Sequence, residues 1–238
     1  MKIAISGYGK MGREIEKVAL ERGHTVSAVI DTDKDWKTEQ SAISDSSVVI
    51  DFSQPDTAVK NIAKCFDFNL PVVVGTTGWY DELERVKALC LVKNQSLFVA
   101  SNFSVGVNIL FEINKRLAAI MNDHPEYDVM IEETHHIHKK DAPSGTAITL
   151  GNQIINNLVR KSDIGNELSD KPHELVIKSF RIDEVPGTHI VNYSSDIDEI
   201  ELKHIAKSRR GFAVGAVMAA EWIIGKKGFF EMSDMLGF

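Results

Sequence analysis

The segment MKIAISGYGKMGREIEKVALERGHTVSAVID, residues 1–31, decides the fold of the first half of the chain. It opens with KIAIS, a β-rich run, and it closes with a second β-rich run, TVSAVI, before an aspartate. Between these runs, a glycine-rich turn precedes apolar residues that recur at helical spacing, up to a glycine suited to end a helix. The order of strand, glycine turn, helix and strand predicts the first unit of a doubly wound α/β sheet.

The glycine turn is Gly7-Tyr8-Gly9-Lys10-Met11-Gly12, a GxGxxG pattern that lies in register with both strands. In such a turn Gly7 allows the tight bend, Gly9 lets the backbone approach a pyrophosphate, and Gly12 lets the helix pack on the strand. The helix N-terminus offers free N–H groups and a partial positive charge to phosphates. Asp31, at the end of the second strand, can accept hydrogen bonds from ribose hydroxyls. The pattern predicts dinucleotide binding, with a purely structural glycine turn as the alternative.

The pattern of strands and helices continues to about residue 104. Segments of helical periodicity separate further apolar runs, which is typical of a doubly wound sheet. Residues 32–45 are polar, and we expect a loop there instead of a crossover helix. Ligands bind beyond the carboxyl ends of the strands in such a sheet, where GTTG (75–78) and ASNF (100–103) fall, although ordinary turns would explain them too. The apolar runs that suit buried parallel strands are SSVVIDF (46–52), PVVVGTTG (71–78) and SLFVASNFS (96–104).

The sequence changes character after residue 104. Residues 106–122 and 144–160 have helical periodicity, and residues 128–135 are strand-like. Three extended segments then follow without a helix between them, which favours an antiparallel sheet, and a strongly apolar helical segment comes last. We therefore expect two domains: a Rossmann-like dinucleotide-binding domain of residues 1–104 and 209–238, and an inserted α+β domain with a mainly antiparallel sheet, of residues 105–208, for substrate binding and oligomerisation.

The composition is that of an ordinary soluble globular protein, with 238 residues, 43% hydrophobic residues and a formal net charge of −7. Because nucleic-acid binding usually requires a basic face, this acidic balance argues against a nucleic-acid partner. The two isolated cysteines, Cys65 and Cys90, fit buried positions in a reducing compartment. No apolar run approaches the roughly 18 residues that span a bilayer, and the N-terminal run is too short for a signal peptide. We expect a soluble, cytoplasmic protein with no membrane partner.

The segment EETHHIHKKDAPSGT, residues 132–146, concentrates histidine and lysine, and it suggests a metal site, a solvated polar loop or a proton-transfer site. A metal is disfavoured because the HExxH motif is absent, and because a di-iron half-site would need a second, separate ExxH motif and two further glutamates. Against a merely polar loop, Ser144 is a natural N-cap, and Gly145 and Thr146 would expose N–H groups to an anion at the helix start.

His135 and Lys139 are the candidate proton-transfer residues in this segment. In an extended strand they would lie about 13 Å apart, so they can share one small substrate only if the chain turns or the lysine reaches back. The residues alone thus indicate a nicotinamide-dependent oxidoreductase that acts on a small anionic substrate. Two alternatives stay open: another dehydrogenase of amino-acid metabolism, such as an aspartate dehydrogenase, and a non-catalytic dinucleotide sensor.

The motifs GYGKMG, DFSQP, GTTG, ASNFSVGVN and EETHHIHKKDAPSGTA together resemble the dihydrodipicolinate reductase family over nearly the whole chain. The resemblance implies NAD(P)H-dependent reduction of 4-hydroxy-tetrahydrodipicolinate, the dicarboxylate cyclic imine made from pyruvate and aspartate semialdehyde, to tetrahydrodipicolinate in lysine and diaminopimelate biosynthesis. It also implies a cytoplasmic homotetramer joined through the sheet of the inserted domain.

The resemblance also implies a role for each motif residue. His135 would be the acid/base and Lys139 the proton donor, while His136, Ser144, Gly145 and Thr146 would bind the substrate carboxylates, with no metal. The cofactor would contact the glycine turn, the acid after the second strand and the two later loops, namely Gly7, Tyr8, Gly9, Lys10, Met11, Gly12, Asp31, Gly75, Thr76, Thr77, Ala100, Ser101, Asn102 and Phe103.

Two features depart from the family pattern. Some members carry an arginine after the acid, suited to the 2′-phosphate of NADPH, where this chain has Thr32. Asp31 would repel that phosphate, so the Asp31-Thr32 pair favours NADH, although Lys34 could compensate. The chain is also shorter than many members after the second strand and within the inserted domain, which leaves adenosine binding and subunit contacts open.

Overall fold

The computed structural model describes residues 1–165 and 168–238. These residues divide into two compact units, Met1–Val105 with Arg210–Phe238, and Gly106–Arg209. The assignment of dinucleotide binding to the first unit, and of substrate binding and assembly to the second, stays a prediction.

The first unit begins with alternating strands and helices. The crossover helices bury one face each, and the N-terminal helix starts directly after Gly9. In chain order the elements are β1 (Lys2–Ser6), α1 (Lys10–Glu21), β2 (Thr25–Ile30), α2 (Asp35–Thr38), α3 (Gln40–Ser44), β3 (Val48–Asp51), α4 (Pro55–Asp67), β4 (Val72–Val74), a 3₁₀ turn (Tyr80–Glu82), α5 (Leu83–Val92) and β5 (Ser96–Val99).

The second unit follows directly and places two helices against one sheet. Its elements are α6 (Val105–Met121), β6 (Asp128–His135), α7 (Gly145–Asn157), β7 (Asp163–Gly165), β8 (Glu174–Arg181), β9 (Thr188–Ser194) and β10 (Glu199–Ile205). The chain then returns to the first unit as α8 (Arg210–Ile223), β11 (Gly228–Phe230) and α9 (Met232–Leu236).

Among the described residues, the sheet of the first unit has six parallel strands in the order β11-β5-β4-β3-β1-β2. Successive residues of β1 point to opposite faces, so Ile3 and Ile5 pack with α1 and α8, whereas Ala4 packs with the core on the side of α4 and α5. Helices thus cover both faces, as a buried parallel sheet requires. The predicted doubly wound α/β fold is confirmed.

Residues 32–45 form two short helices, α2 and α3, so the expected loop is wrong there. Trp36 and Ile43, only 5% and 0% exposed, anchor these helices in the hydrophobic core. The Asp35 carboxylate accepts backbone N–H bonds from Asp31 and Thr32, at 3.0 and 2.7 Å, and holds the preceding turn. Two isolated apolar residues give no detectable helical periodicity, so neither helix could be predicted from this polar segment.

The sheet of the second unit, in the order β10-β9-β6-β8-β7 among the described residues, is mixed instead of mainly antiparallel. Strand β6 pairs antiparallel with β9, but it pairs parallel with β8, and β7 also pairs parallel with β8. Parallel neighbours need a crossover, and α7 supplies it between β6 and β8. The expectation of a mainly antiparallel sheet rested on the three C-terminal extended segments, which follow one another without a helix. It did not include the parallel pairing of β8 with β6 and β7.

Candidate active site

Strand β6 carries two polar residues on its buried face. Its burial alternates, so Val129, Ile131, Glu133 and His135 lie on one side. The first two belong to the hydrophobic core of the unit, whereas Glu133 and His135 continue the same row toward the end of the strand. Glu133 is 0% exposed and His135 is 8% exposed. A carboxylate at such a position needs charged or hydrogen-bonding partners, because an unpaired buried charge is strongly destabilising.

Glu133 has a partner at each of its two oxygens. Oε1 accepts hydrogen bonds from Arg181 Nη2 at 3.0 Å and from the Ser144 backbone N–H at 3.1 Å. Oε2 lies 2.6 Å from Nδ1 of His135, an ion-pair contact in which neither atom makes a hydrogen bond of regular geometry. Burial by itself would raise the pKa of Glu133, but the bonds from His135, Ser144 and Arg181 outweigh it and hold that pKa well below its usual range. Glu133 is therefore an ionised carboxylate in the core.

His189 completes the buried group from the neighbouring strand β9, where it is paired in register with Glu133. Its ring lies edge-on to that of His135, with 5.0 Å between the ring centroids. Its Nε2 is 3.2 Å from the hydroxyl of Ser144. Burial first, and then the charge of His135, lower the pKa of His189 to about 4. His189 is therefore a neutral hydrogen-bonding ring at neutral pH.

The lowered pKa of His189 predicts a pH-dependent stability. Between pH 6.5 and about 4 the unfolded state binds more protons at this residue than the folded state, so the unfolding free energy falls as the pH falls. The full contribution is on the order of 3 kcal/mol. We expect His189→Gln to flatten this part of the stability–pH curve measured by urea unfolding. The exposed His173 provides the matched control, and an equally flat curve for His173→Gln would contradict the assignment.

The chain turns immediately after His135, as the sharing of one substrate by His135 and Lys139 requires. The Lys139 backbone N–H donates to the backbone carbonyl of His136 at 3.1 Å. The Ile137 N–H donates to the backbone carbonyl of Asp183, also at 3.1 Å. The Lys139 ammonium contacts both carboxylate oxygens of Asp141, at 2.9 and 2.8 Å. No role for Asp141 was predicted from the sequence, so this ion pair emerges from the fold.

Arg181 ties this turn to the buried carboxylate. Besides its bond to Glu133, its guanidinium donates to the backbone carbonyls of Lys139, at 3.3 Å, and Asp141. The planar fork of an arginine suits several acceptors held in fixed positions. No motif in the sequence pointed to Arg181, since it lies at the end of a different strand, β8, beside the end of β6.

His136 faces a different cation. Its Nε2 lies 3.2 Å from Nη2 of Arg209, and it can accept a hydrogen bond there. Burial, followed by the charge of Arg209, lowers the pKa of His136, so the ring is neutral at neutral pH. No role for Arg209 was predicted from the sequence, and its position beside His136 emerges from the fold.

The start of α7 is capped as the sequence predicts. Ser144 adopts an extended backbone conformation, and its hydroxyl accepts from the Ala147 N–H at 3.3 Å. Gly145 is exposed with open space where a side chain would begin, and Thr146 is half-buried. The first turn of a 13-residue helix therefore offers N–H groups and partial positive charge a few residues after Lys139.

Among residues 1–165 and 168–238, Glu133, His135 and His189 form a group whose possible ligand atoms lie within 4.8 Å of one another, close enough to hold a metal ion. This set could not be predicted from the sequence, because His189 comes from a separate strand. Two imidazoles and a carboxylate suit zinc in principle. Here, however, the guanidinium of Arg181 already neutralises Glu133, and Ser144 occupies one nitrogen of His189. These three side chains therefore suit the existing ion pair of Glu133 with Arg181 better than they suit a metal ion.

The glycine turn borders a cavity of about 310 Å³ at the carboxyl ends of β1 and β2. Gly7 has φ +86, and a Cβ there would lie 2.3 Å from the Phe52 carbonyl oxygen. Asp31 accepts a hydrogen bond from the Tyr8 N–H at 2.8 Å, while Gly9 has open space around its Cα. Lys10 and Met11 form the first turn of α1. These residues could hold part of a dinucleotide, since the glycines leave room for a pyrophosphate and the rim carries an acid for a ribose.

The GTTG loop rests on a buried carboxylate, Asp51, at the end of β3. Thr76 donates to Asp51 at 2.6 Å, and Ser6 and Asn61 donate to its other oxygen at 2.7 and 3.0 Å. Gly75 packs against the ring of Phe52, which leaves no space for a Cβ, and Thr77 is exposed. Asp51 lies in the motif DFSQP, and no role for it was predicted from the sequence. Its hydrogen bonds fix the loop position in the first unit.

The ASNF loop after β5 combines exposed and buried residues. Ser101 is exposed and Ala100 is half-buried, while the Asn102 side chain accepts from the Ser104 N–H at 2.8 Å. Phe103 is buried and packs against Phe98 and Phe52. The side chain of Phe103 therefore belongs to the core, and its carbonyl oxygen packs closely against Gly215 of α8.

Models of known families match the chain in two adjoining parts. The description "Dihydrodipicolinate reductase, N-terminus" matches residues 1–103, and "Dihydrodipicolinate reductase, C-terminus" matches residues 106–236. The chain belongs to the dihydrodipicolinate reductase family. The 4-hydroxy-tetrahydrodipicolinate reductase of Christiangramia forsetii is 45% identical over 236 residues, which cover 99% of this chain and 98% of that protein. The same-named protein of Neisseria meningitidis is 34% identical over 92% of this chain and 80% of its own length.

Solved structures agree with the fold of a dihydrodipicolinate reductase. The dipicolinate-bound enzyme from Paenisporosarcina sp. TG-14 superposes with a TM-score of 0.81, at 23% identity and 98% coverage of both chains. An engineered D-amino acid dehydrogenase bound to NADP⁺ is more distant, with a TM-score of 0.55 and 15% identity. The match covers 97% of this chain and 92% of the dehydrogenase chain. At these identities the likeness concerns the fold. No helix in residues 1–165 or 168–238 is long and apolar enough to cross a membrane.

Proposed function

We propose that this chain reduces 4-hydroxy-tetrahydrodipicolinate to tetrahydrodipicolinate with NADH or NADPH, as an oxidoreductase of lysine and diaminopimelate biosynthesis. The observation that carries the proposal is the near-complete coverage of a 45% identical 4-hydroxy-tetrahydrodipicolinate reductase. The second unit supports it, because His135, Lys139 and the N-terminus of α7 lie along one continuous turn of the chain.

The reaction removes a hydroxyl group as water and adds one hydride and one proton to the conjugated imine. A bound nicotinamide cofactor supplies the hydride and leaves oxidised. His135 and Lys139 are the proposed sources of protons, for the departing hydroxyl or for the ring as it accepts the hydride. The ammonium of Lys139 pairs with the carboxylate of Asp141, and Nδ1 of His135 lies against the carboxylate of Glu133.

The substrate is a dicarboxylate, and two positive regions of the second unit suit its carboxylates. The N–H groups of Ser144, Gly145 and Thr146 lie at the positive end of α7. Arg209 and the neutral ring of His136 form the second region. An arginine can bind a carboxylate through two parallel hydrogen bonds, so Arg209 joins the sequence-derived residues as a candidate substrate ligand.

NADH is the proposed preferred cofactor. Asp31, Thr32 and Asp33 all line the cavity beside the glycine turn, so two carboxylates lie where a 2′-phosphate would have to fit. Asp33 pairs with Lys60 and Lys64, and these ion pairs lower its pKa to about 2. The carboxylate thereby offsets one of the two positive charges that could otherwise attract that phosphate.

The pairing of Asp33 with two lysines predicts a change in cofactor preference. In Asp33→Asn we expect kcat/KM with NADPH to rise about threefold to tenfold, with little change for NADH, because one or two screened charge contacts are worth roughly 1 kcal/mol. Steady-state kinetics with both cofactors measure this ratio. Asp67→Asn, which breaks the surface pair with Lys93, is the matched control and should leave the ratio unchanged. An unchanged ratio in Asp33→Asn would contradict the proposed basis of selectivity.

A coupled assay tests the function itself. The substrate is generated from pyruvate and aspartate semialdehyde by the condensing synthase, and nicotinamide oxidation is followed at 340 nm. The proposed function requires oxidation that depends on all components. Oxidation with oxaloacetate and ammonia alone would favour an aspartate dehydrogenase. Tight cofactor binding without turnover on either substrate would favour a dinucleotide sensor.

We also infer that the protein works in the cytoplasm as a homotetramer. Two buried free thiols, Cys65 and Cys90, are consistent with a reducing compartment. Exposed apolar side chains on the strands of the second unit, Phe180, Ile200 and Ile205, are consistent with a sheet surface that another copy covers.

A further inference from the structure

We infer that Glu133 is a positioning residue for His135: it holds the imidazole by Nδ1, fixes the tautomer with the proton on that nitrogen, and leaves Nε2 as the atom that exchanges a proton with substrate. This inference rests on the proposed function of His135. It concerns a carboxylate that the sequence analysis assigned no role.

The arrangement is rigid because both residues belong to one strand. Glu133 and His135 are two positions apart on β6, so their side chains leave the same face of the sheet. The contact of 2.6 Å joins Oε2 of Glu133 to Nδ1 of His135. Pairing of β6 with β8 on one side and β9 on the other fixes the backbone at both residues. Both side chains are buried, so the imidazole and the carboxylate lie side by side in the interior of the unit.

The other oxygen of Glu133 is held by groups that keep the carboxylate ionised. Arg181 supplies a full positive charge, and the Ser144 N–H belongs to the cap of α7. A carboxylate in this state favours an imidazole that carries its proton on Nδ1, and it stabilises the imidazolium when Nε2 is also protonated. Arg181 also binds the backbone of Lys139 and Asp141, so one guanidinium supports both proposed proton-transfer residues.

The surroundings of Nε2 support its role as the exchanging atom. The buried Gly187 lies beside it, and a Cβ at this glycine would come within 3.0 Å of Nε2. A glycine there leaves the edge of the ring clear. The titratable and charged groups around His135 are Glu133, His189 on β9, His136 next in the chain, Arg181 on β8, and the Lys139–Asp141 pair. Because His189 and His136 are neutral at neutral pH, Glu133 is the charged group in direct contact with the ring.

The first test is Glu133→Gln in the full-length protein. The amide cannot stabilise an imidazolium, so we expect kcat to fall by about 10²-fold, with KM changed less than threefold. We also expect the kcat–pH profile of the variant to differ from that of the wild type, since the imidazole loses its carboxylate partner. The matched control is Glu132→Gln, which removes the same charge from the opposite face of the strand and should leave both quantities unchanged.

Two further measurements separate positioning from a structural role. In ¹⁵N NMR spectra of histidine-labelled protein, the His135 signals should indicate a proton on Nδ1 in the wild type and a mixture of tautomers in Glu133→Gln. The double variant Glu133→Gln/His135→Gln should be no slower than His135→Gln alone, because a residue that acts through His135 has nothing left to position.

The outcomes separate failure of this inference from failure of the proposed function. Near-normal turnover in His135→Gln would overturn the proposed role of His135. Loss of turnover in His135→Gln, together with an unchanged pH profile and tautomer in Glu133→Gln, would overturn the inference alone. Should Glu133→Gln fail to fold, Glu133→Asp keeps the charge but withdraws the carboxylate from Nδ1. We then expect a smaller fall in kcat and a mixed tautomer; a wild-type tautomer and rate would contradict the inference.

Discussion

Replacement of His135 by glutamine is expected to lower kcat by about 10²- to 10⁴-fold, the usual contribution of a general acid/base. Glutamine retains hydrogen-bonding groups near Glu133 but cannot take up and release a proton at neutral pH. The variant should still bind NADH, because the predicted cofactor residues lie in the first unit and His135 lies in the second. The measurements are the coupled assay at 340 nm and NADH binding by fluorescence.

The matched control for this variant is His138→Gln. His138 lies in the same turn, but its ring is exposed and pairs with Glu184 at 3.1 Å. We expect its kcat to stay within about twofold of the wild type. Equal losses of kcat in both variants would mean that the turn tolerates no substitution, and the assignment of proton transfer to His135 would then be wrong.

The second large effect is expected at the glycine turn, where substitution of Gly12 should lower stability and substitution of Gly9 should weaken NADH binding. A Cβ at Gly12 would lie 2.2 Å from the Gly7 carbonyl oxygen, a backbone atom that cannot move without opening the turn. Gly12→Ala should therefore destabilise the first unit by about 1–3 kcal/mol and abolish measurable NADH binding. At Gly9 a Cβ meets no atom within 4 Å, and its φ of −76 suits any residue.

Gly9→Ala should consequently keep the melting temperature of the wild type yet bind NADH about tenfold more weakly, because the methyl group occupies space that a pyrophosphate needs. Differential scanning calorimetry and NADH titration measure the two quantities separately. Unchanged NADH affinity in a folded Gly9→Ala would show that the turn is only structural. Unchanged stability in Gly12→Ala would contradict the packing of α1 against the turn.

The first unit was largely predictable because its signals are local. The strand, glycine turn and helix of residues 1–31 follow one another, and each is identified by its own spacing of apolar residues and glycines. Helices α2 and α3 were missed because Trp36 and Ile43 reach the core as single residues in a polar segment. The mixed sheet of the second unit was missed because strand order depends on contacts between distant segments, which local patterns do not record.

The same limit applies to the candidate site. His135, Lys139 and the Ser144 cap were identified within one short motif, where spacing and chemistry were both visible. Arg181, His189 and Arg209 come from other elements, and no local feature linked them to that motif. Glu133 lies in the same motif, but the sequence does not distinguish it from an ordinary solvent-exposed acid on a strand. Only the alternation of β6 together with its partners on β8 and α7 shows that it is buried and ionised.

The measurement that tests the central claim most directly is deuterium transfer from cofactor to product. The wild-type protein is supplied with [4,4-²H₂]NADH and substrate formed in place, and the tetrahydrodipicolinate is analysed by mass spectrometry. Direct hydride transfer predicts one deuterium in each product molecule and none when unlabelled NADH is used in D-free water. Product without deuterium, or NADH that binds and is never oxidised, would contradict the account of this chain as a nicotinamide-dependent reductase of the cyclic imine.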